Sequence, residues 1–167
     1  MKFCPHCRQE LITQFLSDRD RLTCPTQDCT FVHWDNPVPV VAAIVEYNNQ
    51  VILANNIEWP DHVYALITGF LEKDETPEQG VVREVAEELG LASTVRQLVG
   101  VYPFFRKNQV IIAYHVEASG DVQLNHELRA YKCMDKKDLT YWDAGTGHAL
   151  RDWLQAQGYN PQMRSLR

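Results

Sequence analysis

The chain has 167 residues, 45% hydrophobic and 23% charged, enough to bury the core of one ordinary domain with a small appendage. That composition excludes a disordered chain, a collagen and a fibrous repeat, and sixteen Lys and Arg against 22 Asp and Glu leave a net charge of −6. No run approaches the roughly 20 apolar residues of a membrane span. The N-terminus has no apolar signal core either, so a cytoplasmic protein without membrane partners is expected.

The first motif in chain order is two cysteine pairs, Cys4-Pro5-His6-Cys7 and Cys24-Pro25-Thr26-Gln27-Asp28-Cys29, with 16 residues between them. Both spacings suit zinc ligands, and four thiolates close a tetrahedral structural site. His6 or His33 could replace one thiolate. Cys133 is left over and reads as a small core residue. Between the pairs, Leu11–Leu16 and Arg21–Thr23 read as hairpin strands around a turn at Ser17–Asp20, and Phe31–Trp34 closes the ribbon. So few apolar residues cannot fold this segment without a metal. Asp35-Asn36-Pro37 marks a boundary, dividing the chain into a zinc ribbon over 1–36 and a larger domain over 37–167.

In the larger domain, Val40–Val45 reads as a strand buried on both faces, turned by Asn48-Asn49 into Val51–Ala54. A further strand is expected over Val63–Ile67, leading to Gly69. Later strands are expected at 95–102, 110–118 and 131–134, and a last amphipathic helix at 146–157 with Leu150, Trp153 and Leu154 inward. The result is a mixed sheet between helices.

Charge concentrates between these elements. Residues 69–91 hold seven acids against Lys73 and Arg83, so most of the chain's net charge sits in 23 residues. Thr76-Pro77-Glu78-Gln79 is a capping box with Pro at the first helical position, and the helix runs to Leu89-Gly90. On it Val81, Val82, Val85, Ala86 and Leu89 are expected to face the core. Glu84, Glu87 and Glu88 form a second arc, left uncrowded by Gly80. Three carboxylates without interleaved lysines can be a solvated face, or an oxygen-rich site for Mg²⁺ or Mn²⁺.

Gly69, Glu75 and Arg83-Glu84-Val85-Ala86-Glu87-Glu88-Leu89-Gly90-Leu91 resemble the Nudix box at each of its defining positions. The resemblance implies an α/β fold, a Nudix-type α/β/α sandwich with a mixed sheet, preceded here by the small zinc ribbon. It also implies hydrolysis of nucleoside diphosphate derivatives with Mg²⁺ or Mn²⁺ held by Glu84, Glu87, Glu88 and the Gly69 carbonyl. Those ions would neutralise the diphosphate, orient it and acidify a water. Arg83 would pair with Glu75 or contact phosphate. Glu87 is the first choice of general base, and Glu127, before a late strand, is the alternative base or an extra ligand; a solvated turn glutamate is the plain alternative. The ribbon and Ala65–Glu72 resemble the NADH pyrophosphatase branch, as does Tyr102-Pro103-Phe104 in the middle of a longer array whose two ends are missing here.

An adenine dinucleotide such as NADH, FAD or ADP-ribose, cleaved to AMP and a second phosphorylated product, is therefore the expected substrate. Tyr102, Phe104 and Phe105 could stack on the adenine and Arg106 or Lys107 could contact phosphate, or the stretch is a core strand end with a basic turn. Trp59 and His62 either line the same pocket or cover the sheet. Removal of nucleotide caps from RNA is a special case of the same chemistry. The alternative class is a non-catalytic sensor using the ribbon as a binding module. A sensor would be expected to lose box glutamates, and none is lost. Residues 1–36 carry four bases and five acids, no footprint for a phosphate backbone. A homodimer is compatible with the resemblance.

Overall fold

The computed structural model describes residues 1–165. It divides into two compact units, Met1–Asn36 and Pro37 onward. In the first, β1 (Ile12–Leu16), β2 (Arg19–Thr23) and β3 (Val32–His33) form an antiparallel sheet in that order. The β1–β2 turn is Ser17-Asp18 alone, both at positive φ, rather than the expected four residues. A two-residue turn of that hand matches the twist of the paired strands, so pairing continues to Leu16 and Arg19.

The second unit is built on β4 (Val38–Tyr47), β5 (Gln50–Asn56), β6 (Ile67–Phe70), α1 (Pro77–Leu89), β7 (Ala92–Phe104), β8 (Gln109–Ser119), β9 (Leu128–Met134) and α2 (Gly147–Ala156). The strand order is β7-β8-β4-β5-β9, with β6 also on β4. Only β4 and β8 run parallel, which makes the sheet mixed. One edge of β4 is shared by two short partners, β6 along Val40–Ala43 and β5 along Val45–Tyr47.

Helices cover both faces of this sheet. Val41, Ala43, Val45, Ile52 and Ile67 meet Val81, Val85 and Leu89 of α1. Ile44, Val51 and Leu53 meet Leu150, Trp153 and Leu154 of α2. Each such side chain taken out of water stabilises the fold by about 1.5–3 kcal/mol. Cys133 is half-buried against the α1 side. No helix among the described residues is long and apolar enough to cross a membrane.

Two expectations about elements change. Val63–Leu66 is not a strand; it makes one isolated bridge, Ala65 to Ala54. The buried Asn55 Nδ2 takes the carbonyls of Pro60 and Val63 at 2.9 and 2.6 Å, so acceptors a ladder would use go to a side chain. The strand starts at Ile67 instead and holds Gly69 within it, opposite Val41. On α1, Ala86 is exposed and Glu88 buried, the reverse of the expected arc. At 100° per residue Glu88 falls close to the meridian of Val81 and Val85, so the core stripe includes it.

Candidate functional site

Helix α1 begins where sequence reading puts it. Thr76 Oγ1 accepts from the Gln79 N–H at 3.3 Å and Gln79 Oε1 accepts from the Thr76 N–H at 2.8 Å. At the far end Gly90, in the left-handed region at φ 69°, donates its N–H to the Ala86 carbonyl. The two caps set the phase of the acidic side chains between them.

Arg83 is the hub of those side chains. Its Nε and Nη2 grip Glu75 through both carboxylate oxygens, at 3.1 and 2.7 Å, and Nη2 also donates to the Phe70 carbonyl. Its Nη1 lies 2.6 Å from Glu84 and 3.1 Å from Glu87. A planar fork holding a carboxylate by two bonds fixes orientation as well as charge. The loop 70–75 is thereby locked to the helix. Arg83 holds Glu75 below the usual carboxylate range, helped by the Glu72 N–H at 2.7 Å.

Glu84 and Glu88 go the other way. Burial is the main reason Glu84 is raised, with Arg83 opposing. Burial, followed by the charges of Glu84, Glu127 and Glu87, pushes Glu88 up to about 8. One guanidinium serves Glu75, Glu84 and Glu87, so the cluster carries more negative charge than its cations offset. A divalent cation would relieve that excess, and oxygen donors suit Mg²⁺ or Mn²⁺. An oxygen of Glu84 and one of Glu87 point at Arg83. Among the described residues the four cysteines are the one group of three or more His, Cys, Asp or Glu whose ligand atoms all lie within 4.8 Å of one another.

The glycine that makes room for these acids is Gly69 rather than Gly80. A Cβ on Gly69 would collide with the Glu84 carboxylate, which lies directly on the β6 backbone. Gly80 is bare for another reason: a Cβ there would stand 2.9 Å from Glu75 Oε1 and 3.2 Å from Leu71. Gly69→Ala should therefore leave the fold intact, because only the end of a flexible side chain must move. Turnover should fall about 100-fold, the scale of a misplacement near 1 Å. Kinetics beside a thermal melt will test this; wild-type turnover would show that the position of Glu84 does not matter.

Glu127 joins the cluster from the turn before β9, and its charge raises both Glu84 and Glu88. The structure thus gathers Gly69, Glu75, Arg83, Glu84, Glu87, Glu88 and Glu127. The aromatic candidates lie elsewhere. Tyr102 and Phe104 pack with Val40, Ala42, Ile111, Ala113 and Ala149 on the α2 side of the sheet. The Tyr102 hydroxyl donates to Asp152 at 3.0 Å. Phe105, 88% exposed, and Arg106 sit in the 3-10 turn Phe105–Lys107. Trp59 and His62 lie in the 57–64 loop, where the carbonyls of both accept from arginines. Sequence reading missed Arg129 and Asn55, which hold that loop. The only signal was a lone Asn closing the apolar run Val51-Ile52-Leu53-Ala54.

In the first unit the four sulfurs converge. Cys4–Cys29 is 3.7 Å, Cys7–Cys24 3.4 Å and Cys7–Cys29 4.0 Å. A tetrahedron with Zn–S bonds of about 2.3 Å has edges of about 3.8 Å, so this donor set fits zinc. The Gln9 N–H, the Thr26 hydroxyl and Cys24 lower the Cys7 thiol to about 6. Neither histidine is drawn in: His6 stacks edge-on to Phe31 and His33 faces Asp35 at 3.7 Å.

The NUDIX domain family matches residues 36–156. The NAD-capped RNA hydrolase NudC of Vibrio atlanticus (strain LGP32) is 30% identical over 122 residues, 72% of this chain and 43% of that protein. NudC of Pseudomonas aeruginosa (strain LESB58) is 28% identical over 123 residues, 72% and 42% of the two chains. This chain therefore spans less than half the length of those relatives. A crystal structure of a NUDIX hydrolase from Nitrosomonas europaea superposes with a TM-score of 0.80 at 25% identity, covering 98% of this chain and 99% of that one.

Proposed function

The chain belongs to the Nudix family, and from that premise we propose that it hydrolyses the pyrophosphate bond of a nucleoside diphosphate derivative, using a divalent cation. The observation that carries the reading is the cluster itself. Arg83 clamps the Glu75 loop to α1, Glu84 lies on the Gly69 backbone, and Glu88 is buried among like charges.

Glu84, Glu87, Glu88 and the Gly69 carbonyl would hold Mg²⁺ or Mn²⁺, which when bound offsets the diphosphate charge and acidifies an attacking water. Arg83 holds Glu84 and Glu87 in register and keeps the loop from swinging. Glu87, exposed at the end of that chain of contacts, is our first choice for taking the proton from water, with Glu127 the alternative. Phe105 presents a free ring for an adenine and Arg106 a cation for a phosphate, whereas Tyr102 and Phe104 would shape the sheet face beneath. Residues 1–36 would be the zinc ribbon, a structural element, and 37–167 the hydrolase domain.

The substrate we favour is an adenine dinucleotide, NADH, FAD or ADP-ribose, cleaved to AMP and a second phosphorylated product. A second reading, removal of an NAD cap from RNA, is supported by the names of the NudC relatives. It uses the same bond and the same residues.

A hydrolysis screen over NADH, NAD, FAD, ADP-ribose, diadenosine polyphosphates and nucleotide-capped RNA, with Mg²⁺ and with Mn²⁺, tests both. AMP release from a dinucleotide is expected, and preference for capped RNA over free dinucleotide would select the second reading. Activity confined to nucleoside triphosphates, or none at all, would overturn the proposal.

A further inference from the structure

The turn that carries Glu127 is tied to two separate parts of the fold. On one side, the Gln123 N–H donates to the Leu89 carbonyl at 2.8 Å and the Asn125 N–H to the Glu88 carbonyl at 3.2 Å. These bonds stitch it to the last turn of α1. The Asn125 side chain then turns the chain by accepting the Glu127 N–H at 3.0 Å. On the other side, the Glu127 carbonyl accepts from the Ile57 N–H at 2.9 Å.

Ile57 opens the loop between β5 and β6, and Arg129 holds that loop. Its Nη2 donates to the Ile57 carbonyl at 2.7 Å, its Nη1 to the Trp59 carbonyl at 3.4 Å, and Nη1 also pairs with Asp61. Asn55, fully buried, grips the same loop at Pro60 and Val63. Arg129 can face the loop because the β5–β9 ladder slips there. Asn55 pairs with Ala130 and Asn56 with Leu128, so Arg129 is the extra, bulged residue. A bulge re-aims a side chain and bends its strand.

The surface ion pair Arg129–Asp61 contributes about 0–1 kcal/mol; the bonds from the same fork to the Ile57 and Trp59 carbonyls fix where the loop sits. The Asn125–Glu88 backbone bond sets the Glu127 turn beside the end of α1 that carries Glu84 and Glu88, and repulsion between like charges favours any rotation that carries Glu127 away. Something mechanical must hold the turn.

We propose that Arg129, as the bulged residue of β9, is a positioning residue that fixes the Glu127 turn against Glu84 and Glu88 by clamping the 57–61 loop to which that turn is bonded. This rests on the reading of Glu127 as part of the metal site. Lysine cannot replace the fork, because one ammonium does not reach acceptors at Ile57, Trp59 and Asp61 together.

The test uses the full chain and the variants Arg129→Gln, Arg129→Lys, Glu127→Gln and the Glu127→Gln/Arg129→Gln double. Mn²⁺ binding is read by electron paramagnetic resonance, and turnover on the best dinucleotide of the screen is read beside it. Both Arg129 variants should bind Mn²⁺ about 10-fold more weakly and lose about 10-fold in kcat, the scale of lost outer-shell support, with KM for the nucleotide unchanged. Glu127→Gln alone should lose at least as much. Adding Arg129→Gln to it should change either readout by less than about twofold, because the residue acts through Glu127. Losses that multiply in the double variant, or wild-type Mn²⁺ binding in both Arg129 variants or in Glu127→Gln, would overturn the proposal. A wild type that binds Mn²⁺ with this coupling and cleaves no pyrophosphate would overturn the proposed function and leave the positioning role standing.

Discussion

Replacing Glu88 by glutamine should abolish turnover and at the same time make the metal-free protein more stable. The residue is 9% exposed, lies on the buried stripe of α1, and has its pKa pushed up to about 8 by burial and by Glu84, Glu127 and Glu87. In the unfolded chain it returns to the ordinary value of 4.5. Below that value both states hold the proton and the residue has no pH-dependent effect. As pH rises from about 4.5 to about 8 the unfolded chain releases a proton that the folded chain still holds, so folding is progressively disfavoured. Glutamine removes this loss while keeping the shape.

With EDTA present, the thermal midpoint of Glu88→Gln should therefore exceed that of the wild type by a margin that widens between pH 5 and pH 8. Cation binding reverses the balance, because it takes up the ionised form and releases protons. The wild type should gain stability from Mg²⁺ or Mn²⁺, more at pH 8 than at pH 6, and Glu88→Gln should gain much less. Turnover should fall by at least about 100-fold, since a lost cation forfeits several kcal/mol and each 1.4 kcal/mol is tenfold. Glu87→Gln should match this in kinetics without the gain in stability, because Glu87 is exposed. Near-normal turnover with unchanged metal dependence in either variant would make the glutamates a solvated face.

Stripping zinc should unfold residues 1–36 and leave the core of the second unit folded. The buried side chains of the first unit are Cys4, Leu11 and Thr23, while Phe3, Ile12, Phe15 and Trp34 are exposed. A structural zinc supplies about 10–16 kcal/mol at neutral pH. Each buried apolar side chain supplies about 1.5–3 kcal/mol, too little to replace it. Metal analysis should find about one zinc per chain, the count of a four-thiolate site. Chelation, or Cys24→Ser, should expose the hairpin to protease, with cleavage confined to the N-terminal 36 residues. Zinc retained by Cys24→Ser, or a ribbon that stays resistant after chelation, would contradict the assignment.

Where local chemistry decides, the sequence alone was enough. Thr76 and Gly90 set the ends of α1 by satisfying its terminal donors and acceptors, so its range was legible from single residues. Asn48-Asn49 specified a hairpin because both residues tolerate positive φ. The cysteine spacing and the Gly69–Leu91 motif were legible for the same reason, since a short motif carries its own geometry. The Glu75–Arg83 pair spans eight residues and belongs with these.

Tertiary structure decided whatever depends on a partner far along the chain. The motif marks Gly69, but the reason it must be bare is tertiary: β6, pairing with β4, lies under Glu84. Tyr102 points toward α2 because its register with β8 places it opposite Ile111. From sequence Glu88 belongs to an arc with Glu84 and Glu87, apart from the apolar stripe; packing α1 on the sheet buries it on the same side as Val81 and Val85. Arg129 falls outside the strand expected at 131–134, and its role arises from a one-residue slip against Asn55 and Asn56, more than 70 residues away. The residue types that chemistry requires follow from sequence, because a ligand's identity is local. Their convergence follows only from the sheet, because distance between side chains is set by register and packing.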